Sequence, residues 1–296
     1  MIDSSGSNIS FVLQGPPVEE TSILIQQIQK ALPAAEIIAS TWKGSEDYAW
    51  GNVDKEIYLD DPGGFKNENG EYLNVNRQIK SSRDGVLASS RSYVCKIRTD
   101  ISLDFLKLVK VYNQYCDLSN SEFFGQRVLV LNLTTINPKR LKRLFAINDW
   151  IYLGKKEDVL KIVDAPDYPK EYVNYEKRWD TLLRYNAEQW FMINMIFGSE
   201  LNHRFPHTAC YTDELLALHK SLIRELIIIG PFKINLKSTK YNLFRFDYKN
   251  MYTFKEWKKE LFEVNVLNDP ERWVYTLVAN PIIRNWLKKL NKVVRS

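Results

Sequence analysis

The chain has little cysteine: Cys95, Cys116 and Cys210 are the three in 296 residues, widely spaced and without a C-x-x-C pair. An odd, dispersed set argues against a disulfide framework or a zinc knuckle and fits a reducing compartment. Histidine is equally scarce, and His203 and His207 stand outside any H-E-x-x-H context, so zinc is not expected. His219, inside a helical stretch, reads as a packing residue. Neither G-x-G-x-x-G nor G-x-x-x-x-G-K-[ST] occurs, which argues against a dinucleotide oxidoreductase and a P-loop NTPase. No apolar run approaches the length of a membrane span. Residues 1–10 carry neither a basic n-region nor an apolar h-region, so no signal peptide is expected. Charge of one sign is also lacking: 41 Lys and Arg face 36 Asp and Glu, a net +5 that is too mild to argue for nucleic acid. A cytoplasmic protein is the expectation.

What is present is globular in kind. At 45% hydrophobic and 26% charged, the chain is not disordered and can bury a sizeable core. Short β-branched runs end on polar residues. Ile9 to Leu13 stops at Gln14-Gly15-Pro16-Pro17, Glu36 to Ser40 at Thr41-Trp42, Glu56 to Leu59 at Asp60-Asp61, and Tyr93 to Arg98 at Thr99-Asp100. Helical patterns separate them: one that Thr21 can cap and Pro33 ends, and one over residues 73–90. Strand, helix, strand, helix at this spacing predicts an open α/β sheet, mostly parallel and flanked by helices, with ligands outside the carboxyl ends of its strands. Arg127 to Leu131 and Trp150 to Leu153 add two strands. Pro166, Pro169 and the aromatic cluster Tyr168–Trp179 suggest a loop or lid, and helices are predicted over residues 187–197 and 212–226.

Asp100 carries the sharpest functional signal. A carboxylate at a strand end, with Arg98 two residues earlier, suits a divalent metal (Mg²⁺ or Mn²⁺) and a diphosphate, which points to nucleotide-sugar chemistry. The plainer alternative is that Asp100 caps a helix starting near Ser102. Gly15 lets the backbone of the first loop approach a ligand, or simply makes a turn. Asn76, Arg77, Gln78 and Ser81, where a helix begins, can meet phosphates or a base, or be solvated surface. Asn148-Asp149-Trp150 offers an amide, a carboxylate and an indole of the kind that sugars need, although Trp150 equally suits a core. Glu188, in a first helical turn, is a candidate general base for an acceptor hydroxyl, or a complement to the helix dipole.

Five of these segments, in this order and spacing, resemble the WavE lipopolysaccharide-synthesis family: Phe11 to Pro16, Ala39 to Gly44, Asn76-Arg77-Gln78, Lys96 to Asp100, and Asn148 to Gly154. The resemblance runs from Ile9 to Gly198. It implies a GT-A-type sheet and glycosyl transfer in surface-polysaccharide assembly. It also implies a donor site lined by Gln14, Gly15, Trp42, Arg77, Gln78 and Asp100, and an acceptor side at Asp149 and Glu188; Pro16, Ser81 and Arg98, next to these in the chain or on the same helix, are further candidate donor contacts. Arg98-Thr99-Asp100 departs from the Asp-x-Asp form usual in such enzymes, which bears on metal dependence.

The expected organisation is a nucleotide-sugar-binding catalytic domain over residues 1–205 and a mostly helical extension over 206–296. The extension ends in a segment, 281–296, whose Ile282, Ile283, Trp286, Leu287, Leu290, Val293 and Val294 lie opposite five basic residues. Such a face either docks on the protein or lies on an anionic membrane, here the inner face of the cell membrane. The expected function is sugar transfer from a nucleotide-sugar donor, UDP-linked by default, to a glycan or lipid-linked glycan of lipopolysaccharide or capsular polysaccharide. The alternatives are a non-catalytic nucleotide-sugar or glycan-binding module, an amphipathic-helix interaction protein and, more weakly, a nucleotidyltransferase.

Overall fold

The computed structural model describes residues 1–48, 50–70, 72–173 and 183–262. The strands are β1 (Ile9–Gln14), β2 (Glu36–Trp42), β3 (Lys55–Leu59), β4 (Phe65–Lys66), β5 (Tyr72–Leu73), β6 (Tyr93–Arg98), β7 (Ile101–Ser102), β8 (Val128–Leu131), β9 (Ile151–Lys155), β10 (Leu226–Ile229) and β11 (Lys237–Ser238). The α-helices are α1 (Thr21–Ala31), α2 (Val75–Ala88), α3 (Phe105–Tyr115), α4 (Lys156–Val163), α5 (Ala187–Phe197), α6 (Leu201–Arg204), α7 (Asp213–Arg224) and α8 (Phe254–Phe262).

Seven strands form one sheet in the order β10-β8-β9-β6-β1-β2-β3, as the alternating pattern predicts. β3, β2, β1 and β6 run parallel, and β9 is antiparallel to both of its neighbours, β6 and β8. Every residue of β1 and β2 is buried, which is what a parallel sheet covered on both faces requires. Glu36 survives at the start of β2 because its carboxylate accepts from Ser10 Oγ (2.5 Å) and the Ser90 amide (2.8 Å) and lies 3.0 Å from Lys55. Burial alone raises its pKa, but those bonds win and hold it down to about 2.

Two local differences from the sequence reading matter. Thr21 does not cap α1. It is the helix's first residue, and its hydroxyl accepts from the Val18 amide (2.9 Å) and donates to the Thr99 carbonyl (3.3 Å), tying the loop after β1 to the loop after β6. The helix predicted over residues 212–226 stops at Arg224, and Leu226–Ile229 pairs in parallel with β8. Leu-Ile-Ile-Ile is too β-branched to prolong a helix easily and buries every side chain as a strand. The segment expected to be mostly helical from residue 206 onward therefore supplies an edge strand of the main sheet. Residues 281–296, with their basic amphipathic pattern, lie outside the described residues. No helix among those described is long and apolar enough to cross a membrane.

Candidate functional site

A cavity of about 650 Å³ opens where β1, β2 and β6 end together. Register brings the ends level, since Gln14 pairs with both Ser40 and Arg98. The loops beyond are bonded to one another: the Gly15 amide donates to the Ser40 carbonyl (3.1 Å), and Thr99 Oγ1 donates to the Pro16 carbonyl (2.6 Å). Gly15 sits at φ +112°, a conformation that side chains disfavour, so the turn itself requires glycine there. α2 supplies the opposite wall. Gly85 lets it press on the sheet, because a Cβ there would lie 2.3 Å from Val12 Cγ1.

Most of the residues singled out from the sequence meet at this cavity. Gln14, Gly15 and Pro16 line it after β1, Trp42 after β2, and Arg98 and Asp100 after β6. Arg77 and Gln78 reach it from α2. Ser81 does not. It is buried, and its hydroxyl donates to the Arg77 carbonyl (2.6 Å), a bond inside the helix. Asn76 is turned to structure as well: its Oδ1 accepts from the Tyr168 amide (2.6 Å) and so fixes Tyr168, a cavity-wall residue.

Asp100 does not cap a helix. Asp104 performs that task for α3, accepting from the Lys107 amide at 3.1 Å. The Asp100 carboxylate instead takes both of its oxygens to Arg98, Nε to Oδ1 at 2.8 Å and Nη2 to Oδ2 at 2.5 Å. The pair is buried, with the side chains 13% and 10% exposed. The Arg98 guanidinium lies 5.1 Å from the Trp150 ring centroid and 5.2 Å from that of Tyr241, positions favourable for cation–π attraction. Burial opposes its charge, yet the bonds to Asp100 keep its pKa above the ordinary arginine value. Trp150 is thus buried beneath Arg98 and not set out as a sugar platform.

Arg77 repeats the arrangement. Its Nε and Nη2 reach Asp61 Oδ1 and Oδ2 at 2.7 and 2.6 Å, and Nη1 reaches Asn74 Oδ1 at 2.8 Å. The hydrogen bonds from Arg77 hold the Asp61 pKa below its usual value. A divalent metal at Asp100 does not fit this donor set. Both cavity carboxylates are already chelated by arginines, and the described residues contain no group of three His, Cys, Asp or Glu placed to hold an ion.

Asp149 and Glu188 stand together but outside the cavity lining, which α5 enters only through Ala187. Asp149 is buried, and its carbonyl accepts from the Nζ of Lys96, itself fully buried on β6. The Glu188 pKa is raised, first by burial and then by the charge of Asp149, against a hydrogen bond from Thr134. A base that must reach an acceptor hydroxyl is poorly served there. An acid whose folded pKa lies above its unfolded one costs stability once pH exceeds the unfolded value. Glu188→Gln is therefore expected to raise Tm at pH 7.5, with the gain fading as pH falls toward 4.5. Donor hydrolysis should be unchanged. Loss of turnover by orders of magnitude at unchanged stability would reinstate Glu188 as the base.

The structure also adds residues that sequence reasoning missed. Thr239, Lys240 and Tyr241 come to the cavity from the last third of the chain, because β11 pairs antiparallel with β7 directly after Asp100. The Thr239 amide donates to the Asp100 carbonyl at 3.4 Å. Nothing in Lys237–Tyr241 announces this, since a two-residue strand leaves no period. Asp61 was visible as the polar stop of β3, but its partner on α2 was not. Of the helical histidines, His219 packs as expected: it is buried and accepts from the Phe145 amide (3.1 Å), and burial lowers its pKa to about 3.

Comparison with known proteins yields no match among curated proteins. Among solved structures, the galactosyltransferase LgtC in complex with donor and acceptor sugar analogues is similar at 9% identity, over 89% of this chain and 98% of that one, with a TM-score of 0.38. A glycosyltransferase involved in the glycosylation of the major capsid of PBCV-1 is similar at 11% identity, over 76% and 82%, with a TM-score of 0.33. HddC from Yersinia pseudotuberculosis follows at 10% identity, over 58% and 86%, with a TM-score of 0.32. These are distant likenesses. The sequence profile of WavE lipopolysaccharide synthesis matches residues 9–292, well past Gly198, where the motif resemblance ends. The chain belongs to the WavE lipopolysaccharide synthesis family.

Proposed function

We propose that the protein is a glycosyltransferase with a GT-A-like sheet. It moves a sugar from a nucleotide-sugar donor, UDP-linked by default, to a glycan or lipid-linked glycan of lipopolysaccharide or capsular polysaccharide. The observation that carries this reading is the gathering of Gln14, Gly15, Trp42, Arg77, Gln78 and Asp100 around one cavity at the carboxyl edge of a parallel sheet, where such folds place ligands. When the bond between sugar and diphosphate breaks, negative charge grows on the leaving group. Fixed positive groups aimed at that charge lower the barrier without rearranging. Trp42, Tyr72 and Tyr168 add aromatic faces to the cavity wall for a base or a sugar ring. The basic amphipathic segment 281–296 belongs to the same proposal as a peripheral anchor on the cytoplasmic face of the membrane, beside a lipid-linked acceptor.

The reading is tested by thermal shift and donor hydrolysis with UDP-, GDP- and dTDP-sugars and the matching nucleoside diphosphates. A diphosphate at one hundred times its Kd stabilises the fold by about 2.7 kcal/mol, which is several degrees in Tm. One nucleotide should shift Tm, and its sugar derivative should be cleaved. If none of them shifts Tm and none is hydrolysed, the glycosyltransferase reading fails.

A further inference from the structure

We propose that the cavity neutralises the diphosphate of its donor with fixed cations, Arg98 locked on Asp100, Arg77 locked on Asp61, and the exposed Lys240, in place of a divalent metal. The proposal rests on the glycosyltransferase reading above and departs from the metal that Asp100 suggests by its position.

The ionised groups lining the cavity are three cations (Arg77, Arg98 and Lys240) and two carboxylates (Asp61 and Asp100), a net of +1 without any ion added. A divalent ion at a diphosphate site is held by one or two carboxylates that are free to coordinate it, together with the phosphates. Here each carboxylate is gripped by two parallel N–H···O bonds from its arginine. An incoming divalent ion would have to expel a guanidinium that then stays beside it, like charge against like.

Arginine has five N–H donors, and Arg98 gives two of them to Asp100, so further donors remain on a guanidinium that lines the cavity. Asp100, Trp150 and Tyr241 hold that planar group in one orientation, the preorganised form in which arginine binds phosphate best. Arg98 thus stands where an Asp-x-Asp motif has its first acid, and Asp100 orients it.

Lys240 completes the set. It is exposed, has no carboxylate within ion-pair distance among the described residues, and lies 5.3 Å from the Tyr241 ring centroid. Its neighbour Thr239 is bonded to the Asp100 carbonyl, and β11 is paired to β7, so the ammonium is delivered to the mouth of the cavity beside Arg98.

Calorimetric titration of the full chain with UDP, GDP and dTDP, first in EDTA and then in Mn²⁺ or Mg²⁺, decides the matter. At least one diphosphate should bind in EDTA with a Kd within about threefold of its value in metal. Lys240→Ala should weaken that diphosphate about tenfold or more, and Lys240→Arg should restore it, while the corresponding nucleoside binds both variants alike. Being exposed, Lys240 can be replaced without threatening the fold. The proposal is overturned if metal tightens binding about tenfold or more and Asp100→Asn abolishes the gain, and equally if Lys240→Ala binds like the wild type. In the first of those cases the glycosyltransferase reading survives. If no diphosphate binds under any condition, both fall.

Discussion

Arg98→Met is expected to melt about 10 °C below the wild type and to lose measurable binding of nucleoside diphosphate. The Arg98–Asp100 pair is withdrawn from water, and its guanidinium lies against both Trp150 and Tyr241. Removing one partner of such a pair leaves the other charge buried and uncompensated, which costs about 3–5 kcal/mol. Methionine keeps much of the apolar stem, so the loss reports on charge more than on volume. Adding Asp100→Asn in the same chain removes the orphaned carboxylate and should recover most of the melting temperature, but not the binding. Thermal denaturation and UDP titration on the single and double variants separate the two effects. A single variant as stable as the wild type, or a double variant no better than the single, would mean that packing on the two rings and not the paired charge sets the stability.

Lys96→Met is expected to do the reverse, stabilising the protein while harming the site. Lys96 is fully buried between Val12 on β1 and Tyr152 on β9, and its Nζ meets the Asp149 carbonyl and the Tyr152 ring. Burial pushes its pKa down to about 8, more than the nearby charge of Asp149 can offset. Because the folded pKa lies below the unfolded one, the unfolded chain holds more protons between pH 8 and about 10.5. The cost of carrying the charge is therefore full below pH 8 and disappears as pH rises to the unfolded value. After allowance for the lost bond to Asp149, the gain at pH 7 is on the order of 2 kcal/mol, or about 5 °C in Tm. It should fade in alkaline buffer. Freed from Lys96, the Asp149 backbone no longer fixes Trp150 beneath Arg98, so diphosphate affinity should fall even as stability rises. A variant that is less stable at pH 7 would show that the buried ammonium is net favourable where it lies.

The sequence by itself determined the alternation of strands and helices and the polar stops of β1, β2, β3 and β6. These are local properties: β-branched runs short enough to be buried whole, punctuated by Gly15, Pro33 and Asp60-Asp61, each readable without knowing its neighbours in space. Together with the motif order they also marked out one side of the cavity, because a parallel sheet sends every strand stop to the same edge. Pairing was not legible. That Asp100 grips Arg98 instead of capping α3, that Arg77 turns back to Asp61, and that Trp150 lies under a guanidinium all depend on side-chain directions set by packing. Glu188 and Asp149 looked equally available as acids, and only the placement of their elements set them outside the cavity lining. Lys240 and Tyr241 were beyond any local signal. They arrive through a two-residue pairing of β11 with β7, a contact across more than a hundred residues of chain. Periodicity fixes which residues are buried within an element. Which charges meet is decided by tertiary contacts, where a buried carboxylate must find a cation or give up its charge.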